Sequence, residues 1–220
     1  MMILAVEQSS DTGSIAILND DKILGERAWD GLVLRSSGLF ACLKELLTLT
    51  KLSLTDISHY AVDIGPGSYS GLRISFAAVR AFALPDKKPV YALTSAEIMA
   101  WQAMKEYAAD KIQVVGDARR EQIWSCVFKD GGNIPVALSP LRLVPTDSFH
   151  PVEGAVVVSP DWHRLEVRLK AATAGKGRVI AERYIPTAGC LGKLLHRKMA
   201  LNIDSEPLRL IYLHSAVKEK

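Results

Sequence analysis

The sequence predicts an α/β protein of two lobes, each built on a mixed sheet flanked by helices. Three apolar runs precede the first helical pattern, and a second series of runs in a similar order begins near residue 112. At 220 residues the chain is long enough for two small lobes. We assign residues 1–94 with about 187–204 to the first lobe, 95–186 to the second, and 205–220 to a tail.

The chain opens with three strand-like runs, Ile3–Glu7, Ser14–Leu18 and Lys22–Trp29, separated by polar turns. Three consecutive antiparallel strands followed by a helix begin each lobe of an actin-like (ASKHA, ribonuclease-H-like) fold. The next helix has leucine and phenylalanine at helical spacing, and Ser36 or Ser37 is its expected cap. Its predicted apolar face consists of Leu39, Phe40, Leu43, Leu46 and Leu47.

A glycine-rich segment, Gly65–Arg73 (GPGSYSGLR), joins a strand at Tyr60–Ile64 to a helix at Ser70–Leu84. Unpaired amides and the positive end of a helix meet in such a turn, which makes it a candidate anion or nucleotide loop. No lysine follows the last glycine as a Walker loop requires, and the dinucleotide pattern fails by one residue. A nucleotide loop and a tight structural turn both stay open, and the residues concerned are Gly65, Gly67, Ser68 and Gly71.

The helix at Ser70–Leu84 is apolar around most of its circumference, with Arg73, Ser75 and Arg80 as its interruptions. Such a helix must be covered on both sides, so we expect a partner subunit on the side away from its own sheet. The alternative is a helix enclosed within the lobe. The predicted partner interface comprises Leu39, Leu43, Leu46, Arg73, Ala77, Ala78 and Ala81.

The second half repeats the pattern of the first. Strands are expected near Ile112–Val115, Ile123–Phe128 and Ala155–Val158, with strand-like runs at Ile180–Ile185 and Leu208–Leu213. A capping box at Thr94–Glu97 opens one helix, and two further helices are expected near 162–172 and 187–201. The repeated order indicates a duplicated two-lobe architecture.

The two halves differ in charge. Residues 1–110 carry 10 basic and 13 acidic groups, whereas residues 111–220 carry 17 and 11. The excess of basic groups fits a second half near nucleic acid, with Arg164, Arg168 and Lys170 as phosphate contacts, or an ordinary solvated surface.

The cysteine spacing and the apolar content favour the cytoplasm. The three cysteines have no zinc or redox spacing, and no run approaches the roughly 18 apolar residues of a membrane span. The first residues lack the basic region of a signal peptide. The five histidines have no metal-ligand spacing, so we expect no metal and no catalytic role.

The segment Gly65-Pro66-Gly67-Ser68-Tyr69-Ser70-Gly71-Leu72-Arg73 resembles the GPGS(F/Y)TGxR motif of the TsaB (YeaZ) family. Four further blocks resemble the family in the same order: Ile3–Glu7, Gly116–Trp124 with its Asp117-Ala118-Arg119, Pro186–Ala188, and Tyr212–Val217. The chain departs from the family at Glu7, Arg35, Ser159-Pro160 and His214, which weakens the expectation that it binds nucleotide.

The resemblance implies a non-catalytic subunit in the synthesis of threonylcarbamoyladenosine beside the anticodon of ANN-decoding tRNAs. It implies a TsaD-like catalytic subunit and a TsaE-like ATPase as partners, with tRNA reached through the complex. A self-associating scaffold that uses the same helices symmetrically, as a homodimer when the chain is alone, is a further alternative. No tightly bound cofactor is expected, with ATP or ADP confined to the interface of the complex. The alternative is a nucleotide-binding phosphotransferase or hydrolase of the actin-like superfamily.

Overall fold

A computed structural model describes residues 1–173 and 177–214, and for Arg35 the backbone. Two sheets and five helices make up the described regular structure, apart from two short 3-10 turns. The strands are β1 Met2–Glu7, β2 Thr12–Asn19, β3 Lys22–Asp30, β4 His59–Asp63, β5 Val90–Leu93, β6 Lys111–Arg119, β7 Gln122–Asp130, β8 Pro135–Ala137, β9 Arg142–Pro145, β10 Val156–Val158 and β11 Arg178–Val179. The helices are α1 Arg35–Thr50, α2 Tyr69–Ala83, α3 Ser95–Tyr107, α4 Trp162–Thr173 and α5 Ala188–Ala200.

The first sheet has the strand order β3-β2-β1-β4-β5. β1, β2 and β3 are antiparallel, whereas β4 and β5 run parallel to β1. Alternation along β1 places Leu4 and Val6 in the core under α1 and α2, while α5 packs on the opposite face, where Leu18 lies against Gly192. The carboxyl ends of β1 and β4 therefore lie side by side, next to the glycine-rich loop.

The second sheet repeats this order. β6 and β7 are antiparallel, β10 and β11 run parallel to β6, and β8 and β9 both pair with the far edge of β7. α4 covers one face through Trp162, Leu165 and Leu169. The predicted fold class, two mixed sheets flanked by helices in an actin-like arrangement, is confirmed.

The chain divides into two compact units, Met1–Ile98 with Pro186–Ile211, and Met99–Ile185 with the described residues from Tyr212. The chain first passes from one unit to the other inside α3, four residues after the predicted boundary between the two lobes. Part of the predicted tail packs on the first unit. Glu206 forms an isolated antiparallel β-bridge with Ala92, and the Ile211 amide donates to the Ile64 carbonyl at 2.9 Å. Among the described residues, no helix combines the length and apolar content needed to cross a bilayer.

Three local predictions are wrong. Leu34, not Ser36 or Ser37, precedes α1, and the Ser37 hydroxyl donates to the Leu34 carbonyl instead of capping. Neither Ile180–Ile185 nor Leu208–Leu213 forms a strand. β11 ends at Val179, and the later segment contacts the first unit through the Ile211 amide, which donates to the Ile64 carbonyl one residue beyond β4. Apolar composition alone does not provide a neighbouring strand with free backbone groups.

Candidate functional site

The glycine-rich loop connects β4 to α2 at the carboxyl end of the first sheet. Gly65 has a left-handed φ of 97°, which a residue with a side chain rarely adopts. The Ser68 hydroxyl accepts from the Gly71 amide at 3.3 Å and caps α2, as an N-cap serine does.

The loop packs directly on the turn that joins β1 to β2. The Ser68 amide donates to the Ser9 carbonyl at 2.7 Å. A Cβ placed at Gly67 would lie 2.2 Å from the Ser9 carbonyl oxygen, and one at Gly71 would lie 2.1 Å from that of Gln8. The close approach that these glycines permit is thus made by the chain's own backbone, which favours the structural-turn interpretation of the motif.

Two carboxyl groups are buried beneath this loop. Glu7 ends β1, Asp63 ends β4, and both are 0% exposed. Burial is the largest cause that raises the pKa of Asp63 to about 6, and burial followed by the charge of Asp63 raises the pKa of Glu7 well above its usual range. The sequence shows Glu7 as a departure from the family motif and does not indicate its pairing with Asp63, because neighbouring strand ends become adjacent only in the sheet.

The side of α2 that points away from its sheet is exposed. We call it the α2 outer face, formed by Arg73, Ala77, Arg80, Ala81 and Leu84. Leu84 is 74% exposed. Small and apolar side chains with arginines at one edge give this face the composition of a protein contact surface.

An aromatic contact joins α1 to α2. Phe40 is 51% exposed, and its ring meets that of Phe82 edge to face at 6.1 Å between centroids. Arg73 donates to the Tyr69 hydroxyl at 2.6 Å and lies over its ring at the start of α2. The predicted Arg73, Ala77 and Ala81 thus lie together at the surface.

The remaining interface residues predicted from the sequence are buried. Leu39, Leu43 and Leu46 belong to the core under α1, and Ala78 is 7% exposed against the same core. Their assignment to a partner interface is wrong, because the lobe's own sheet covers that side of each helix. The ridge of α1 that reaches the surface carries Phe40 instead.

In the second unit, Asp117, Ala118 and Arg119 lie at the end of β6. The Asp117 carboxylate accepts from the Arg119 amide at 2.8 Å and pairs with the guanidinium of Arg119 at 3.1 Å. The Asp117 amide donates to Asp161, just before α4, at 2.8 Å, and Arg164 pairs with Asp161 at 3.4 Å. Burial raises the pKa of Asp161.

His214, where the family motif has arginine, lies against the same hairpin. Its Nε2 is 2.7 Å from the carbonyl oxygen of Ala118, which is itself buried. The Asp117-Ala118-Arg119 segment is therefore held by ion pairs and backbone contacts within its own unit. Among residues 1–173 and 177–214, no cluster of three or more His, Cys, Asp or Glu side chains is arranged to hold a metal ion.

The fold defines the chain as a two-lobe actin-like protein, and solved structures agree. YeaZ from Pseudomonas aeruginosa aligns with a TM-score of 0.79 over 96% of this chain and 100% of its own, at 19% identity. A Pseudomonas aeruginosa protein described as similar to the peptidase YeaZ reaches 0.82 over 97% and 99%, at 20% identity. Component A of (R)-2-hydroxyglutaryl-CoA dehydratase from Acidaminococcus fermentans reaches 0.50 at 10% identity, over 91% and 99%.

Relatives in sequence indicate a family within this fold class. The tRNA threonylcarbamoyladenosine biosynthesis protein TsaB of Escherichia coli (strain K12) is 29% identical over 135 residues, 60% of this chain and 57% of that protein. TsaB of Bacillus subtilis (strain 168) is 30% identical over 129 residues, 59% and 56%. The chain thus spans rather more than half the length of the curated relatives it matches. The family model for TsaD, tRNA N6-adenosine threonylcarbamoyltransferase, matches residues 36–139. These matches confirm the relationship to the TsaB (YeaZ) family predicted from the glycine-rich motif.

Proposed function

We propose that this chain is a non-catalytic subunit of an assembly that transfers a threonylcarbamoyl group to the adenosine beside the anticodon of ANN-decoding tRNAs. Its relatives are named for threonylcarbamoyladenosine biosynthesis. In this proposal it binds a TsaD-like catalytic subunit, and the assembly includes a TsaE-like ATPase and works in the cytoplasm.

Two features together support the proposal. The α2 outer face is exposed and partly apolar, and the glycine-rich loop packs against the backbone of the β1–β2 turn. Ala77 and Ala81 allow a partner helix to approach α2 closely, while Leu84 on the same face and Phe40 on α1 offer exposed apolar area. The Gln8–Ser9 backbone lies against Gly67 and Gly71, where a nucleotide loop would hold phosphate. Both features support binding of a protein rather than a nucleotide.

A charge on the outer face tests the interface. Ala81→Glu places a carboxylate where a dry helix contact is proposed, and an uncompensated buried charge costs several kcal/mol. We expect binding to a TsaD-like subunit to fall at least tenfold, measured by calorimetry, with the melting temperature of the isolated chain unchanged. Ala171→Glu, on an exposed position of α4, is the matched control and should bind normally. Undiminished binding by Ala81→Glu would refute the interface.

A second copy of the chain is the alternative occupant of the outer face when the partner is absent. Light scattering of the isolated chain and of its mixture with a TsaD-like subunit separates the two cases. We expect a self-association that Ala81→Glu abolishes and that the catalytic subunit displaces.

ATP or ADP is proposed to bind at the interface of the assembly and not tightly to this chain alone. The purified chain should therefore show no ATP hydrolysis, threonylcarbamoyl transfer or peptidase activity, and little heat of ATP–Mg²⁺ binding. Metal-independent turnover by the purified chain, lost in Asp117→Ala, would overturn the non-catalytic assignment and favour the hydrolase alternative.

A further inference from the structure

Glu7 and Asp63 form a buried carboxyl pair that the proposed function does not use. β1 and β4 are adjacent and parallel, with Val6 opposite Val62, so the next residue of each strand falls beside the other. Both side chains are 0% exposed and lie within hydrogen-bonding reach of each other. Two carboxyl groups in one dry site cannot both ionise without a large cost.

One oxygen of each carboxyl group accepts two hydrogen bonds from nearby residues. Glu7 Oε1 accepts from the amide and hydroxyl of Ser9, both at 2.5 Å. Asp63 Oδ1 accepts from the Gly65 amide at 2.7 Å and from the Ser95 hydroxyl at 2.9 Å. The pair thus ties the β1–β2 turn, the glycine-rich loop and the first residue of α3 to the end of the sheet.

The other oxygens, Glu7 Oε2 and Asp63 Oδ2, are buried and have no hydrogen-bond donor. A buried acceptor without a donor is destabilising, and two neighbouring carboxylates repel each other. One proton between the carboxyl groups would satisfy both oxygens at once.

We propose that Glu7 holds a proton at neutral pH and donates it to the Asp63 carboxylate, forming a proton-dependent clasp of Glu7, Ser9, Asp63, Gly65 and Ser95. Burial and the charge of Asp63 both raise the pKa of Glu7, whereas the hydrogen bond from Glu7 lowers the pKa of Asp63, which places the proton on Glu7. The principal groups facing the pair are the Ser9 and Ser95 hydroxyls and the Ser9 and Gly65 amides, and the principal charge acting on Glu7 is Asp63. This inference does not depend on the proposed function.

The sign of the pH dependence follows from linkage. Both carboxyl groups have a raised pKa in the folded chain, so the folded state binds more protons than the unfolded state above the ordinary carboxyl value of about 4. Stability from the pair is present at low pH and is lost as pH rises through about 6 and beyond. For each extra proton that the folded state binds, the unfolding equilibrium constant should rise about tenfold for every unit of increase in pH over this range.

The test compares Glu7→Gln with the wild-type chain by urea unfolding from about pH 5 to about pH 9. Glutamine can donate from Nε2 to Asp63 while its Oε1 accepts from Ser9, so it reproduces the protonated state permanently. We expect the pH dependence to flatten and the variant to exceed wild type in stability at about pH 9. Asp21→Asn, at an exposed turn of the same unit, should keep the wild-type slope. An unchanged slope in Glu7→Gln would overturn the proposal.

Two measurements on the wild-type chain keep the proposal testable if Glu7→Gln fails to fold. Infrared spectra should show the carbonyl band of a neutral carboxylic acid at about pH 7, where ordinary carboxyl groups are ionised. Amide exchange at Gly65, Ser68 and Ser9 should accelerate, beyond its base-catalysed rise, at about pH 9. Absence of the acid band, or a rise in stability on adding Mg²⁺ at neutral pH that points to a bridging cation, would refute a shared proton.

Discussion

At the scale of single residues, Glu97 and Lys198 show how tertiary structure redirects a local motif. The Glu97 amide donates to Thr94 Oγ1 at 3.1 Å, as a capping box requires, but its carboxylate turns to Lys198 of α5 at 2.8 Å. The two side chains are only 10% and 8% exposed. Burial raises the pKa of Glu97, and the ion pair opposes that shift.

Removing one member of this pair should be costly. Lys198→Met leaves a buried carboxylate unpaired, which costs about 3–5 kcal/mol of unfolding free energy. The double variant Glu97→Met/Lys198→Met should recover most of that loss, because a buried pair contributes little over apolar side chains. Urea unfolding measures both, with Lys193→Met, on a partly exposed position of α5, as control. Equal losses in the single and double variants would contradict this account.

At the scale of elements, the glycine-rich loop and the β1–β2 turn form one packed unit. Gly67 and Gly71 face backbone carbonyl groups of Ser9 and Gln8, which cannot move aside as the end of a flexible side chain can. The motif's glycines are therefore explained by packing within the lobe, in which the first turn of α2 takes part through Gly71.

Gly71→Ala should destabilise the chain, because its Cβ would lie 2.1 Å from the Gln8 carbonyl oxygen. We expect a loss of about 1–3 kcal/mol, typical of overpacking, measured by thermal melting. Gly177→Ala, whose Cβ would meet Pro151 at an ordinary 3.6 Å, is the matched control. A melting temperature equal to wild type in Gly71→Ala would show that the loop is free to move away from the turn.

At the scale of the whole molecule, the basic side chains that the sequence predicted as phosphate contacts form ion pairs with neighbouring carboxylates. Arg168 pairs with Asp147 at 3.2 Å and Lys170 with Glu166 at 2.6 Å, while Arg164 lies by Asp161. The basic groups predicted to meet phosphate already have acidic partners on the same surface.

We therefore expect the triple variant Arg164→Gln/Arg168→Gln/Lys170→Gln to leave the salt dependence of tRNA binding unchanged in the reconstituted assembly. Each phosphate contact contributes to the slope of affinity against salt, so residues that contact none should not alter it. Filter binding across a salt series measures the slope. A shallower slope in the variant would place α4 at the nucleic acid.

The sequence by itself determined the class of fold and the family relationship. The apolar run of β1, the helical spacing in α1 and the nine-residue motif all depend on neighbours in the chain, so they can be read without a structure. The repeated order of strands and helices along the chain followed from the same local patterns.

Tertiary structure alone decided what each side of a helix contacts and which charges meet. Leu39 and Ala78 are apolar whether a sheet or a partner covers them, so composition could not separate core from interface. Glu7 and Asp63 lie 56 positions apart in the chain and become neighbours only through the pairing of β1 with β4. Burial and pairing are properties of long-range contacts, which a pattern of nearby residues does not contain.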